Sequence, residues 1–111
     1  MYEYKAIVNK IVDGDTVNLT IDLGFTIYWK SNCRFASINA PELTSIDPVV
    51  RAKALEAKQY VIEALPLNTK IKIISRELDK YGRPVIDIYY GTNFEKHLNQ
   101  ELLDKGLAVK Y

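Results

Sequence analysis

The chain has 111 residues, 48% hydrophobic and 26% charged, with a formal net charge of +1. That length favours one domain over residues 1–111, with one hydrophobic core, and the near-neutral balance excludes a global field, so any phosphate-binding surface must be a local patch. A lone cysteine, Cys33, excludes an intrachain disulfide, and the lack of an apolar h-region or of any run near the ~20 residues that span a bilayer predicts a soluble, cytoplasmic protein with no membrane contact.

Residues 4–12 are rich in β-formers and run into Asp13-Gly14, a hairpin turn signal. Val17, Leu19 and Ile21 then alternate with Asn18, Thr20 and Asp22, the period of a half-buried strand. Leu23-Gly24-Phe25 makes the next turn, and residues 26–38 read as a third strand. Within it, Tyr28 and Trp29 are assigned to packing and Cys33 to a small buried side chain. A loop over residues 39–46 leads to Asp47-Pro48, an N-cap followed by proline at the first helical position. Val50, Ala54, Ala57, Val61 and Leu65 form one apolar stripe at helical spacing, and Pro66 stops that helix.

A fourth strand is expected over residues 70–76, with Ile71 and Ile73 on one face, and a fifth over residues 85–89. Between them, residues 79–83 form a turn in which Gly82 can take a positive φ. Thr92 and Glu95 have the T-x-x-E spacing of a capping box for a second helix, with Leu98 and Leu102 as its apolar stripe and Gly106 just past its end. The single histidine, His97, falls on that helix and receives a packing or surface role. The order β-β-β-α-β-β-α predicts an α+β, mainly β fold: a five-stranded OB-fold barrel with two helices, the first plugging one end.

Three short stations carry the chemistry. Asp13-Gly14-Asp15-Thr16 places two carboxylates at one turn, and carboxylate oxygens suit Ca²⁺ or Mg²⁺ better than zinc. Arg34 sits near the end of the third strand, and its guanidinium is a planar fork that matches phosphate oxygens. Asn39-Ala40-Pro41-Glu42 follows, with Pro41 stiffening the loop that carries a carboxylate able to act as a general base. Asp79-Lys80-Tyr81-Gly82-Arg83 puts two cations and an aromatic ring on one turn, able to clamp a phosphate and stack a base. Each station alone is equally an ordinary turn or ion-pair partner.

Taken in order, these stations, with Leu98-Asn99, Leu102-Leu103 and Gly106-Leu107-Ala108, resemble the staphylococcal nuclease (thermonuclease) family from about residue 8 to the end of the chain. The resemblance implies Ca²⁺-dependent endonuclease activity on DNA or RNA, with a single-stranded substrate. It implies Asp15 as the direct metal ligand, Asp13 as its outer neighbour, Asn39 where a second carboxylate often stands, and the Ala40 carbonyl completing the shell. Glu42 takes the place of the proposed general base, with Arg34 and Arg83 as phosphate clamps stabilising a phosphorane-like transition state. Lys80 and Tyr81 resemble the pair that holds a terminal nucleotide phosphate, and Tyr111 matches a base-side tyrosine. The neutral Asn39 implies weaker Ca²⁺ binding or another divalent ion. The family's further C-terminal helix has no counterpart before Tyr111, which would expose apolar surface and favour a dimer or a marginal fold; the expected state is a monomer or weak homodimer. A phage or bacterial setting suits a small cytoplasmic nuclease. The alternative is a nuclease-like domain with little or no activity that binds nucleic acid or a protein partner.

Overall fold

The computed structural model describes all residues from Met1 to Tyr111. Strands β1 (Tyr2–Asp13), β2 (Thr16–Asp22) and β3 (Tyr28–Phe35) form an antiparallel meander, and a two-residue β4 (Ile38–Asn39) follows. Helix α1 (Pro48–Ala64) leads to the hairpin of β5 (Lys70–Leu78) and β6 (Pro84–Tyr90). Short β7 (Lys96–His97), α2 (Leu98–Asp104) and β8 (Val109–Lys110) complete the chain. β5 pairs with β1, and β3 returns to β6 through a short parallel contact, Arg34 opposite Val85 and Phe35 opposite Ile86. That contact closes the five long strands into the expected barrel. No helix is long and apolar enough to cross a membrane.

The period-2 pattern does what it predicted: Val17, Leu19, Ile71, Ile73, Ile86 and Ile88 point inward and are fully buried. Cys33 joins them, and burial pushes its thiol up to about 12. Asp47 caps α1 by accepting the Val49 N–H at 2.9 Å, with Pro48 at the first position. Ala54, Ala57, Val61 and Leu65 are buried beneath this helix, whereas Val50 is only half-buried.

Several sequence expectations are corrected. The third strand stops at Phe35 because Ser37 takes a left-handed φ of 64°, which breaks the run before β4. Its outer end is not packed: Tyr28 and Trp29 are exposed, at the edge of a hairpin whose tip (Gly24, Phe25, Thr26) is entirely left-handed. The Thr92–Glu95 capping box does not form. Glu95 instead accepts the Asn93 N–H, and Gly91 and Phe94 at positive φ fold the chain back so that β7 pairs with β6. Helix α2 therefore starts at Leu98 with His97 in the N-cap position and no side-chain cap. Tertiary pairing outweighs a local cap worth about 1 kcal/mol. The fourth and fifth strands each extend beyond the predicted ends, to Leu78 and Tyr90.

Candidate functional site

The β1–β2 turn, the end of β3, the loop over residues 40–47 and the β5–β6 turn meet around a cleft of about 530 Å³. Asp13, Asp15, Arg34, Asn39, Ala40, Glu42 and Arg83 all line it. The tightness of the first turn places the acids. Gly14 and Asp15 are its only central residues, and Asp13 Oδ1 accepts the Asp15 N–H at 3.0 Å, an Asx turn. Gly14 has no room for a side chain: a Cβ there would lie 2.8 Å from Ala57 Cβ and 3.0 Å from Ala40 Cβ. The absent side chain lets α1 and the Ala40 segment close onto the turn.

Asp15 is 8% exposed and fully engaged. Its Oδ2 accepts the Ala40 N–H at 2.9 Å and lies 2.7 Å from Arg34 Nη1, and its Oδ1 accepts the Thr16 hydroxyl at 3.2 Å. Arg34 Nη1 is buried and close to Asp15, but its N–H is not aligned with the oxygen, so the contact is an ion pair without a good hydrogen bond. Nη2 donates to Asn39 Oδ1 at 3.0 Å. Burial and a hydrogen bond with Asp15 push Asp13 up to about 6. Burial also acts to raise Asp15, but hydrogen bonds from Asp13 and the Ala40 N–H, with the charge of Arg34, hold it below the usual carboxylate range. Two neighbouring carboxylates that repel one another favour a cation beside them.

The acidic and amide side chains there, Asp13, Asp15 and Asn39, offer oxygen donors. Hard cations of the Ca²⁺ or Mg²⁺ kind fit that chemistry, with water completing the shell. No group of three or more His, Cys, Asp or Glu side chains gathers anywhere in the protein, so the cation would be held with few protein charges. Glu42 lies on the exposed rim of the cleft.

Arg83 forms the wall to a second cavity of about 600 Å³, which Arg34 also lines. Asp79 orients Arg83: its Oδ2 accepts Arg83 Nε at 2.7 Å, and its Oδ1 accepts the N–H groups of Arg83 and Tyr81. Burial pushes Asp79 up, but these hydrogen bonds outweigh it and hold the carboxyl below its ordinary range. The Tyr81 ring lies 5.4 Å from the Arg83 guanidinium and 5.2 Å from Lys80 Nζ. Tyr111 stands over Arg34 at 5.7 Å, held by its N–H to the Ser37 carbonyl at 3.1 Å. Thus Lys80, Tyr81 and Tyr111 share the second cavity with both arginines and do not reach the acidic cleft.

Residues 32–111 match the sequence profile of the staphylococcal nuclease homologues. The chain belongs to that family. A probable endonuclease of Schizosaccharomyces pombe is 32% identical over 82 residues, covering 70% of this chain and 35% of that protein. The endonuclease YhcR of Bacillus subtilis is 32% identical over 117 aligned positions, covering 98% of this chain and 9% of that protein. The chain therefore spans about a third or less of the curated relatives it matches. Every station except the first lies inside the profile match, and the alignment with the second relative, which covers 98% of this chain, takes in the first as well.

Sequence reasoning missed three residues that shape the second cavity: Arg76, Ser37 and Asp87. One signal was available. Asp87 interrupts the apolar run Val85-Ile86-Ile88, and a carboxylate inside such a run needs a partner.

Proposed function

We propose that this chain is a Ca²⁺-dependent endonuclease that hydrolyses phosphodiester bonds in single-stranded DNA or RNA. The observation that carries this reading is the convergence, around one cleft, of two arginines, one exposed carboxylate and a pair of acids with oxygen-only donors. Arg34 and Arg83 bind the non-bridging oxygens of the scissile phosphate. Each is held from behind by a carboxylate at 2.7 Å, so little reorganisation is needed as negative charge builds on those oxygens. Glu42, on the loop stiffened by Pro41, removes a proton from the attacking water. Lys80 and Tyr81 hold a neighbouring phosphate, and Tyr111 offers a stacking face for a base. A divalent ion bound by Asp15, Asn39 and the Ala40 carbonyl, with Asp13 behind, would supply further charge neutralisation at the phosphate.

The test is cleavage of labelled single-stranded DNA and RNA by purified protein, with Ca²⁺ and then with chelator. Ca²⁺-dependent cleavage is expected, reduced on the order of 10²-fold or more by Arg83→Ala. Activity that persists in chelator and in Glu42→Gln would sink the mechanism. Binding without cleavage would favour a nucleic-acid-binding domain instead.

A further inference from the structure

The second cavity holds a third arginine that the reading above leaves without a role. Arg76, on β5, lines this cavity but not the acidic cleft. It is built like the other two. Arg34 is held by Asp15 at 2.7 Å, Arg83 by Asp79 at 2.7 Å, and Arg76 by Asp87 at 2.8 Å through Nε. In each case a largely buried carboxylate fixes one edge of a guanidinium on the wall of the same cavity.

Pairing with Asp87 occupies only the Nε edge of Arg76. Asp87 comes from β6 with its side chain 8% exposed, and its second oxygen already has a partner, His97 Nε2 at 3.2 Å. His97 is locked by stacking on Tyr89, with ring centroids 4.5 Å apart. Arg76 meanwhile reaches across the cavity to Ser37 and donates Nη1 to its hydroxyl at 3.0 Å. Ser37 is the left-handed residue whose carbonyl secures Tyr111, which in turn covers Arg34. Arg76 is thus tied at both ends into the frame that positions the base-side tyrosine. Its side chain stays 42% exposed, and its remaining donors have no protein partner.

We propose that Arg76 binds a further phosphate of the substrate strand, beyond the neighbouring one held by Lys80 and Tyr81, making the site selective for an oligonucleotide over a single phosphodiester linkage. This deepens the nuclease reading and rests on it. Because Arg34 and Arg83 face both cavities while Arg76 faces only the second, its phosphate is not the scissile one. The four cations of the second cavity (Arg34, Arg76, Lys80, Arg83) outnumber its two acids, Glu77 and Asp79. Asp15 and Asp87, behind Arg34 and Arg76, balance that excess, so what the cavity offers a phosphate is the outward N–H donors of its guanidinium groups and the Lys80 ammonium.

The experiment compares a dinucleotide, which has one phosphodiester, with a single-stranded decanucleotide. In Ca²⁺, Arg76→Gln should raise KM for the decanucleotide about tenfold with kcat unchanged, and leave dinucleotide cleavage unaltered. In chelator, where cleavage stops, fluorescence anisotropy should show weaker decanucleotide binding. The slope of log K against log salt should fall by about 0.7, the loss of one contact to a single strand. Equal losses on both substrates, or an unchanged salt slope, would overturn the proposal. If Arg76→Gln does not fold, Ser37→Gly decides. Glycine accepts the φ of 64° at that position, removes the hydroxymethyl group whose hydroxyl steadies Arg76, and keeps the carbonyl that secures Tyr111. A smaller loss confined to the decanucleotide supports the proposal, and no loss overturns it. Failure of the wild-type protein to cleave either substrate would refute the nuclease reading, while the anisotropy still judges Arg76.

Discussion

At the scale of single residues, the site depends on how charges are paired. Asp15 contacts Arg34, the Ala40 N–H and Thr16 at once. Removing the carboxylate there takes the counter-charge from the largely buried Arg34, so such a substitution perturbs the fold as well as the chemistry. Asn39 gives a cleaner probe. It is exposed, on the lip of the cleft, and its only side-chain hydrogen bond is to Arg34 Nη2 at 3.0 Å. Asn39→Asp keeps the shape and adds one negative charge to a site where protein carboxylates are few. Under the proposed cation site, Ca²⁺ affinity should rise about tenfold or more, since ligand charge count tunes such sites. Isothermal calorimetry measures it directly. Unchanged affinity would remove Asn39 from the ligand set.

Among elements, α1 and the β1–β2 turn set the shape of the cleft together. Gly14→Ala would force its new methyl against Ala57 on α1 and Ala40 in the loop. Overpacking of this kind costs about 1–3 kcal/mol, and relief requires α1 or the Ala40 segment to move. Since that segment also carries Asn39 and Glu42, we expect a modest fall in the urea midpoint and a disproportionate fall in kcat. A variant as active and as stable as the parent would show that the close approach is not needed. A second junction lies at the far side of α1. Tyr60 on α1 and Tyr90 on β6 both donate to Glu101 Oε1 on α2. Burial and the Glu101 carboxylate hold both phenols above their ordinary value. The folded protein therefore keeps protons that the unfolded chain releases near pH ~10. The stability linked to these protons is complete below about pH 10 and declines as pH rises through the higher folded values. Tyr90→Phe should flatten the alkaline fall in urea midpoint above about pH 10. An equally steep fall in the variant would place the sensitivity elsewhere.

For the whole molecule, the barrel was legible in the sequence because its information is local and periodic. The alternation of Val17, Leu19 and Ile21 and the stripe of Ala54, Ala57, Val61 and Leu65 each declare a face, and the structure buries those faces. Asp13, Asp15, Arg34, Asn39, Glu42 and Arg83 line one cleft, while Lys80 and Tyr81 line the neighbouring cavity. What could not be read was non-local: the β7 hairpin that overrode the Thr92–Glu95 cap, and the Arg76–Asp87–Ser37 bridge, whose members lie 11 and 39 residues apart. The barrel's closure is of the same kind. Its β3–β6 seam has only two paired positions, Arg34 with Val85 and Phe35 with Ile86, so other contacts must hold it shut. Asn99 on α2 is the principal one. It is 3% exposed, accepts the Ile88 N–H at 2.9 Å, and donates to the carbonyls of Ala36 at 3.0 Å and Ile86 at 3.1 Å. One amide thus joins α2 to β6 and to the turn after β3, on both sides of the seam that carries Arg34. The Ile86 carbonyl keeps another partner, the Ala36 N–H at 2.7 Å, so its loss is small. The Ile88 N–H and the Ala36 carbonyl lose the partner recorded here. At about 1–3 kcal/mol for each of the two buried groups left unsatisfied, Asn99→Ala should cost roughly 2–6 kcal/mol, a large share of the 5–15 kcal/mol typical of a whole domain. Because the seam is part of the core and not an appendage, the loss should appear as one cooperative urea transition with a lower midpoint and an unchanged slope. Cleavage should fall only in step with the folded fraction. A biphasic transition, or an inactive protein that remains fully folded, would mean that the seam opens independently of the barrel.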